Sequence, residues 1–452
     1  MAEKNSSPGQ ILIIVLLFFL VVLVIAGALL GLVFQNVRGT RLGLTGEQAM
    51  QLAEAGVDRA IWQLNETTGA YTGETGTVLG AGVFDVAVTT LSSSLKEITA
   101  TGYVPSKVAP QSTRQVKVQV TISTSSVSFN YGVQVGEGGL EMENNSRVNG
   151  SVYSDGPIEG GNGARITGTA YSAGAAGRIT EDLQIDGNAY AHQIDDDVSI
   201  GGNAYGYILD DVTVGGNAFF NTIRNCTIGG NAYFTTKTFC TIGGSQNTPY
   251  AGEPDPPSLP LPISDQQIAD WKDSAAAGGT ISGSYTLSNG AQGTLGPKKI
   301  TGSLTLSNNA RLTLTGPLWV QGAIQISNGA ILALDPSYGD TSEVVVTDGT
   351  VDVSNVAVFE RAGPDSYILM LTTNSGSSAY TISNNADALI AYASAGTVRV
   401  SNNALVREVT GYRLELSNNA VITYESGLAD LTFTGGPGAS WTVVRGTLRR
   451  TD

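Results

Sequence analysis

Residues 198–234 read VSIGGNAYGYILDDVTVGGNAFFNTIRNCTIGGNAYF, in which one short phrase returns three times with small changes. The same Gly-x-(Ala/Val)-aromatic pattern occurs six times, at Gly150–Tyr153, Gly168–Tyr171, Gly187–Tyr190, Gly202–Tyr205, Gly216–Phe219 and Gly230–Tyr233. Its glycines are 18, 19, 15, 14 and 14 residues apart. A period this short cannot hold a helical hairpin, but it holds two or three short strands joined by turns. Each turn leaves its inward Ile, Val or Ala uncovered until the next lies over it. Stacked at ~4.8 Å, six coils would form a parallel β-helix, or β-solenoid, about 29 Å long. This first solenoid is expected over 125–250.

A second series follows, Ser-Asn-(Asn/Gly/Val)-Ala, starting at Ser288, Ser307, Ser327, Ser354, Ser383, Ser401 and Ser417. Apolar alternation flanks it, as in Leu304-Thr305-Leu306 and Leu414-Glu415-Leu416. Asn-Asn and Asn-Gly tolerate left-handed corners, and stacked amides can hydrogen-bond from coil to coil. Residues 281–446 therefore read as a second solenoid or as a continuation with a wider coil. Between the two, Pro254, Pro256, Pro257, Pro260 and Pro262 mark a semi-rigid spacer. It leads into a helix at Asp265–Ala277, with a Ser264/Gln267 capping box and Gly278-Gly279 at its end. Ile268 and Trp271 share one face, so the spacer and helix (251–280) are expected to cap an open solenoid end.

Upstream, Ile11–Phe34 is an uncharged apolar run long enough to cross a ~30 Å hydrocarbon core. Ala49, Leu52, Ala53, Gly56, Val57, Ala60, Ile61 and Leu64 then recur at helical spacing. Hence residues 10–66 are expected to form one helix, with Gly39 and Gly43 as weak points. Strand-like stretches at Val83–Thr90, Ile98–Val104 and Arg114–Ile122 give residues 67–124 a small antiparallel sheet. Arg38 and Arg41 after the run oppose an outside C-terminus by charge count, whereas the acidic, glycine-rich bulk favours one.

The leader 1–9 ending in Gly9, the immediate apolar helix, and Glu47-Gln48-Ala49-Met50-Gln51-Leu52-Ala53-Glu54-Ala55-Gly56-Val57 resemble the N-terminal domain of PilX-type pilus assembly proteins. Those are pilin-like minor components of type IV pili. The resemblance covers roughly the first 125 residues. It implies a prepilin signal cleaved between Gly9 and Gln10, and a glutamate at the fifth mature position, where this chain has Ile14. An ordinary signal-anchor is the alternative, as is a signal cut near Ala26–Leu32. The C-terminal half also resembles uncharacterised repeats found fused to PilX-type N-termini, which implies nothing about activity.

A net charge of −15 with 24 Lys and Arg excludes nucleic acid as a natural partner. No Gly-x-Ser-x-Gly, zinc or phosphate-loop motif is present, and His192 is the sole histidine. Counted from each coil's glycine, Asp195 stacks with Asp210 and Asp196 with Asp211. Four close carboxylates repel unless solvent, an arginine such as Arg224, or a cation relieves them. The column is thus a solvated turn, a calcium site, or an acidic pair of a carbohydrate-active β-helix. The aromatic column 153–233 reads as a core ladder or as a sugar-stacking surface. Cys226 and Cys240, in equivalent positions of neighbouring coils, read as a disulfide or as two stacked thiols.

The reading is a mainly-β, non-enzymatic protein with no cofactor beyond that calcium. It has a transmembrane, pilin-like helix and a small sheet, and it displays β-solenoids outside the cell as spacer or adhesive tip. Other pilin-like subunits, assembly machinery, the membrane, and a surface carbohydrate or host ligand are the expected partners. A membrane-anchored β-helix acting on or binding polysaccharide is the alternative.

Overall fold

The computed structural model describes residues 8–66, 71–92, 95–122, 125–433 and 441–451. The leader up to Ser7 lies outside the described residues. Gly9 and Gln10 already belong to α1 (Pro8–Glu66), an unbroken helix of 59 residues. Gly39 and Gly43 do not interrupt it.

α1 has two halves with opposite surroundings. From Ile13 to Phe34 its apolar side chains are exposed. From Ala49 to Leu64 its apolar stripe is buried on the sheet formed by β1 (Gly73–Leu79), β2 (Gly82–Ser92), β3 (Leu95–Val104) and β4 (Ser112–Ile122). Strict alternation puts Ile98, Ala100, Val116, Val118 and Val120 on the face that meets the helix. Small residues set the approach distance. A Cβ on Gly102 would stand 2.1 Å from the Ala49 carbonyl oxygen, and one on Gly56 would meet Phe84 and Ala100 at 3.1 Å.

This sheet is completed by the far end of the chain. Trp441–Val443 and Arg449–Thr451 both pair antiparallel with β4. The Trp441 amide donates to Asn65 Oδ1 at 2.6 Å, tying the returning strand to the last turn of α1. Everything from 125 to 433 is therefore inserted between two strands of one small sheet.

The insertion is a stack of short strands paired in parallel. Each rung has three flanks. Along one flank, nine strands and four strands form two sheets, which isolated bridges through Asp387 join end to end. The other two flanks merge into a single 24-stranded sheet. Inward positions carry Val148, Ile166, Ile185, Ile200, Val214 and Ile228 on one flank and Ile158, Ile179, Ile194, Leu209 and Ile223 on another, all buried. Rungs close up through glycine columns. A Cβ on Gly168, Gly187, Gly202 or Gly216 would come within about 2.5 Å of the glycine one rung back or its neighbouring asparagine.

The order of rungs along the axis differs from their order in the sequence. β5 (Val133–Met142) pairs in parallel with Val152–Ser154 and Ile158–Glu159 on one side, and with Glu408–Leu416 on the other. The first repeat region grows away from β5, out to Gln246–Asn247. The second begins at the opposite end, at Thr280–Ile281, and grows back until its last rung lands on β5. Seven rungs come from each region, so a continuous rod of about 60 Å results, with its two sequence regions joined in the middle.

That order requires the chain to travel the rod's length between regions, and the proline-rich stretch does so. It is a strap laid along the flank rather than a spacer between two bodies. Its backbone meets successive rungs in reverse: Glu253 N to Gly206 O at 3.1 Å, Gly174 N to Pro256 O at 2.9 Å, and Leu259 N to Asp155 Oδ1 at 3.1 Å. Gln134 Nε2 then donates to Pro260 O at 2.9 Å, and Tyr392 O–H to Ile263 O at 3.2 Å. Prolines suit this course because they hold an extended backbone and need no donor partners.

α2 (Asp265–Ala277) continues the strap, with the Ser264/Gln267 capping box formed. It packs on Lys298–Ile300, Leu318–Val320 and Glu343–Thr347, which belong to three consecutive rungs. The helix thus lies along the side and does not cap an end as the sequence suggested. Its buried Ile268 and Trp271 need an apolar surface, and the flank of the rod supplies one. Trp271 meets Phe433 edge-on at 5.6 Å.

Strap, α2 and the returning segment 424–433 together bury a second apolar layer outside the rod. Val344, Val346, Leu369, Leu371, Ile390 and Tyr392 are fully buried beneath it. That is why Glu343–Thr347 and Ile368–Thr372 are buried on both faces instead of alternating.

Candidate functional site

Four features of the sequence reading can now be placed. The first is the exposed half of α1. Among the described residues it is the one helix long and apolar enough to cross a membrane, and none of its apolar window is buried in the fold. It is compatible with a signal or a membrane-anchoring segment. Gly9, Gln10 and Ile14 all lie in its first turns.

The carboxylate column sits where the sequence offsets put it, with Asp195 and Asp210 in neighbouring rungs, since Ile194 pairs with Leu209. Asp195, Asp196 and Asp210 have side-chain partners within the protein. Asp195, 5% exposed, accepts from Arg178 Nε at 2.8 Å and from Gln193. Asp196 accepts from Arg178 Nη2 and from Thr180 Oγ1, both at 3.0 Å. Asp210 accepts from Asn225 Nδ2 at 2.9 Å and has Arg224 Nε at 3.6 Å. Asp196, Asp197, Asp211 and Asn225 take left-handed backbone angles (φ 47° to 61°), the corner conformation that Asp and Asn tolerate best. Among the described residues no group of three or more His, Cys, Asp or Glu is placed to hold a metal ion. The column is a row of rung corners in which Arg178 pairs with Asp195 and Asp196, and Arg224 with Asp210.

The aromatic column is neither the core ladder nor the open sugar platform expected. Alanines or valine one residue earlier (Val152, Ala170, Ala189, Ala204, Ala218, Ala232) take the inward position and are fully buried. The rings consequently point outward, beneath the strap. Tyr171, Tyr190, Tyr205, Phe219 and Tyr233 stack face to face at 4.4–4.9 Å, with planes 3° to 12° apart. Tyr153 continues the stack at 5.5 Å and donates to Pro257 O, while Tyr250 of the strap abuts Phe219 and Tyr233 edge-on. Ring faces within the stack are occupied by other rings, so a sugar cannot lie on them. Burial pushes the Tyr153 and Tyr190 phenols up to about 12. His192 belongs to the same seam: its Nδ1 is 3.1 Å from Asp255 of the strap, and its ring stacks on Tyr207. Beside Tyr131, Tyr153, Tyr171 and Tyr190 the strap leaves an open cavity of about 440 Å³, walled also by Pro254, Pro256, Pro257 and Leu259.

Cys226 and Cys240 are joined by a disulfide, with Cα atoms 4.4 Å apart. It staples the outermost rung of the first region, where Phe239 is 86% exposed, to the rung beneath.

The coil-to-coil amide bonding expected of the Ser-Asn series is formed, and one member of it, Asn144, went unrecognised in the sequence. The amides of Asn289, Asn308, Asn328, Asn355, Asn384, Asn402 and Asn418 form a ladder, each Nδ2 after the first donating to the Oδ1 one rung back at 3.0–3.4 Å. Asn144 extends it, donating to Asn418 Oδ1 at 3.1 Å. The signal was Asn144-Asn145-Ser146, a member of the Asn-Asn series lying upstream of the first region instead of in the second.

No protein-family model matches this chain, and no curated protein matches it. Among solved structures, the competence-associated pilin ComZ from Thermus thermophilus aligns with 90% of this chain and 97% of its own, at 12% identity. Its TM-score is 0.21, too low to bear on fold or function.

Proposed function

We propose that this protein is a pilin-like, membrane-held display subunit: α1 anchors it, the small sheet forms its base, and a β-solenoid rod is presented outside the cell. The role is structural, as spacer or adhesive surface of a type IV pilus or related filament, with other pilin-like subunits as partners. The observation that carries the reading is the split character of α1. One half is bare and apolar, and the other is packed on a sheet that both ends of the rod insertion enter. A helix with a bare apolar half requires lipid or neighbouring helices around it. Asp195, Asp196 and Asp210, expected in a catalytic or calcium site, pair with arginines, which also favours a structural role.

N-terminal sequencing of the mature protein from membranes tests this proposal. A chain starting at Gln10 supports processing as a prepilin, and one starting beyond Phe34 overturns the anchored reading. A rod that binds or cleaves polysaccharide is the second reading, favoured by the open cavity beside Tyr131 and Tyr171. Release of sugar from a polysaccharide panel, or retention on one, would select it.

A further inference from the structure

The cavity between strap and rod has a composition that selects one class of ligand. Its volume, about 440 Å³, is that of a small-molecule site. The strap is pinned on both sides of it, by Glu253 N on Gly206 O and by Leu259 N on Asp155 Oδ1, each at 3.1 Å. The space therefore exists before any ligand arrives, and little ordering cost remains for binding.

Aromatic walls differ here from the rest of the column. Beyond Tyr171 the rings are nearly parallel and cover one another. At this end Tyr131 meets Tyr153 at 45° and Tyr171 at 70°, so the stack opens into an angled corner. Among the described residues Tyr131 has no parallel ring on either face.

The charges around the corner are of one sign. Neither the strap, 248–264, nor Val133–Met142, Val152–Ser154, Ala170–Ser172, Ala189–Ile194 and Ala204–Asp210 beneath it contain a Lys or Arg. Asp255 lines the cavity, and His192, which could carry positive charge, is turned onto it. Burial, neighbouring phenols, and Asp155 beside Tyr153 or Glu253 beside Tyr190 hold these two phenols above their ordinary value. Donors are as scarce as cations. Pro254, Pro256 and Pro257 have no N–H, the Leu259 amide is spent on Asp155, and the Gly174 amide on Pro256 O. An anion finds nothing to hold it, whereas a weakly hydrated cation finds a ring face, phenol oxygens and a carboxylate.

We propose that the cavity binds an organic ammonium ion, its charge held by the Tyr131 ring and the Asp255 carboxylate and its apolar body by Pro256, Pro257 and Leu259. The ligand carries no phosphate, because the surrounding carboxylates repel one. It would bridge strap and rod, and so stiffen 253–260.

The test is isothermal titration calorimetry on full-length protein in phosphatidylglycerol nanodiscs, which bring neither choline nor sugar, with empty discs as the blank. The probes are choline, its neutral isostere 3,3-dimethylbutan-1-ol, phosphocholine and a neutral oligosaccharide. Choline should bind with a Kd of ~1 mM, about tenfold tighter than the isostere. Tyr131→Ala should weaken choline about fivefold, while Tyr131→Phe keeps the ring and the affinity. Asp255→Asn preserves the shape, and should weaken choline about threefold without touching the isostere. Unchanged hydrogen exchange in 253–260 of the ligand-free variants establishes that the strap is still seated. Equal binding of choline and isostere would reduce the site to an apolar hole and overturn the proposal, as would no binding of choline. Phosphocholine binding as tightly as choline overturns the choice of a free ammonium over a phosphocholine headgroup. Displacement of choline by the neutral oligosaccharide assigns the cavity to the polysaccharide reading and also overturns the proposal.

Discussion

Asn355 offers a sharp test of how the rod is held together. Its Nδ2 donates to Asn328 Oδ1 at 3.2 Å, its Oδ1 accepts from Asn384 Nδ2 at 3.0 Å, and its backbone sits at φ 54°. Asn355→Ala removes both amide bonds and leaves a Cβ in a left-handed corner. For exposed bonds the lower end of the usual range applies, ~0.5 kcal/mol each. The left-handed backbone adds about 1–2 kcal/mol for a residue other than Gly, Asn or Asp. The expected loss is thus about 2–3 kcal/mol. Asn355→Gly relieves the corner and loses only the bonds and some unfolded-state entropy, so it should cost about 1–2 kcal/mol. Asn355→Asp keeps the corner but sets a carboxylate against the Asn328 oxygen, and should fall between them. Because a stacked array is coupled mainly to its neighbours, hydrogen exchange by mass spectrometry is the appropriate readout. Protection should fall in 320–385 and stay unchanged in 180–240. Equal effects of Ala and Gly would refute the claim that the corner conformation is what Asn supplies. Unchanged protection in all three would refute the ladder as a stabilising element.

Three further outcomes follow from the same geometry. Replacing Cys226 and Cys240 by serine should raise exchange in 236–247 and leave 280–433 unaltered, as seen by the same mass-spectrometric readout, because the disulfide joins only the two outermost rungs. Glu408 is fully buried under the strap, with Thr410 Oγ1 donating to it at 2.6 Å, and burial holds its carboxyl well above the ordinary value of 4.5. The fold therefore favours the protonated form: its contribution is full below 4.5 and fades as pH rises through the raised value. Glu408→Gln should match the parent in acid and become more stable relative to it by up to ~1.4 kcal/mol per pH unit above that, in chemical denaturation monitored at several pH values. Arg178→Ala leaves the nearly buried Asp195 without its guanidinium and should cost about 1–3 kcal/mol, discounted because Arg178 is itself half exposed; added calcium should not shift the parent's melting temperature, and a rise of several degrees would restore the calcium reading of that column.

The repeat phrase was legible because glycine, alanine and a β-branched residue each have one place in a rung. Gly202 permits close approach, Ala204 turns inward, and Ile200 fills the core of the neighbouring flank. The same phrase misled about Tyr205. Its alternation with Ala204 places it outside, where the stacked rings of Tyr190 and Phe219 and the nearby strap leave it half-buried. Nothing local in Pro254–Pro262 says that it lies along a rod, since its partners at Gly206, Gly174 and Asp155 lie from about 50 to about 100 residues away. The pairing of β5 with Glu408–Leu416 is likewise between segments some 270 residues apart. Asn144 was the visible trace of it. For the carboxylate column, Arg224 in the next rung signalled neutralisation correctly, whereas Arg178 lay one rung earlier and at a different offset, beyond what glycine-based counting aligned.

The two repeat regions meet in the middle of the rod. Asn149 and Thr423 are paired across that junction, Nδ2 to Oγ1 at 3.2 Å. Cysteines at both positions should oxidise to a disulfide, because strands ~4.8 Å apart meet its geometry. If the regions instead followed one another end to end, Thr241 and Gln292 would be the neighbours. Cross-linking of the Asn149→Cys/Thr423→Cys protein with none in Thr241→Cys/Gln292→Cys, read by non-reducing peptide mapping, is the predicted result; the reverse pattern would contradict it.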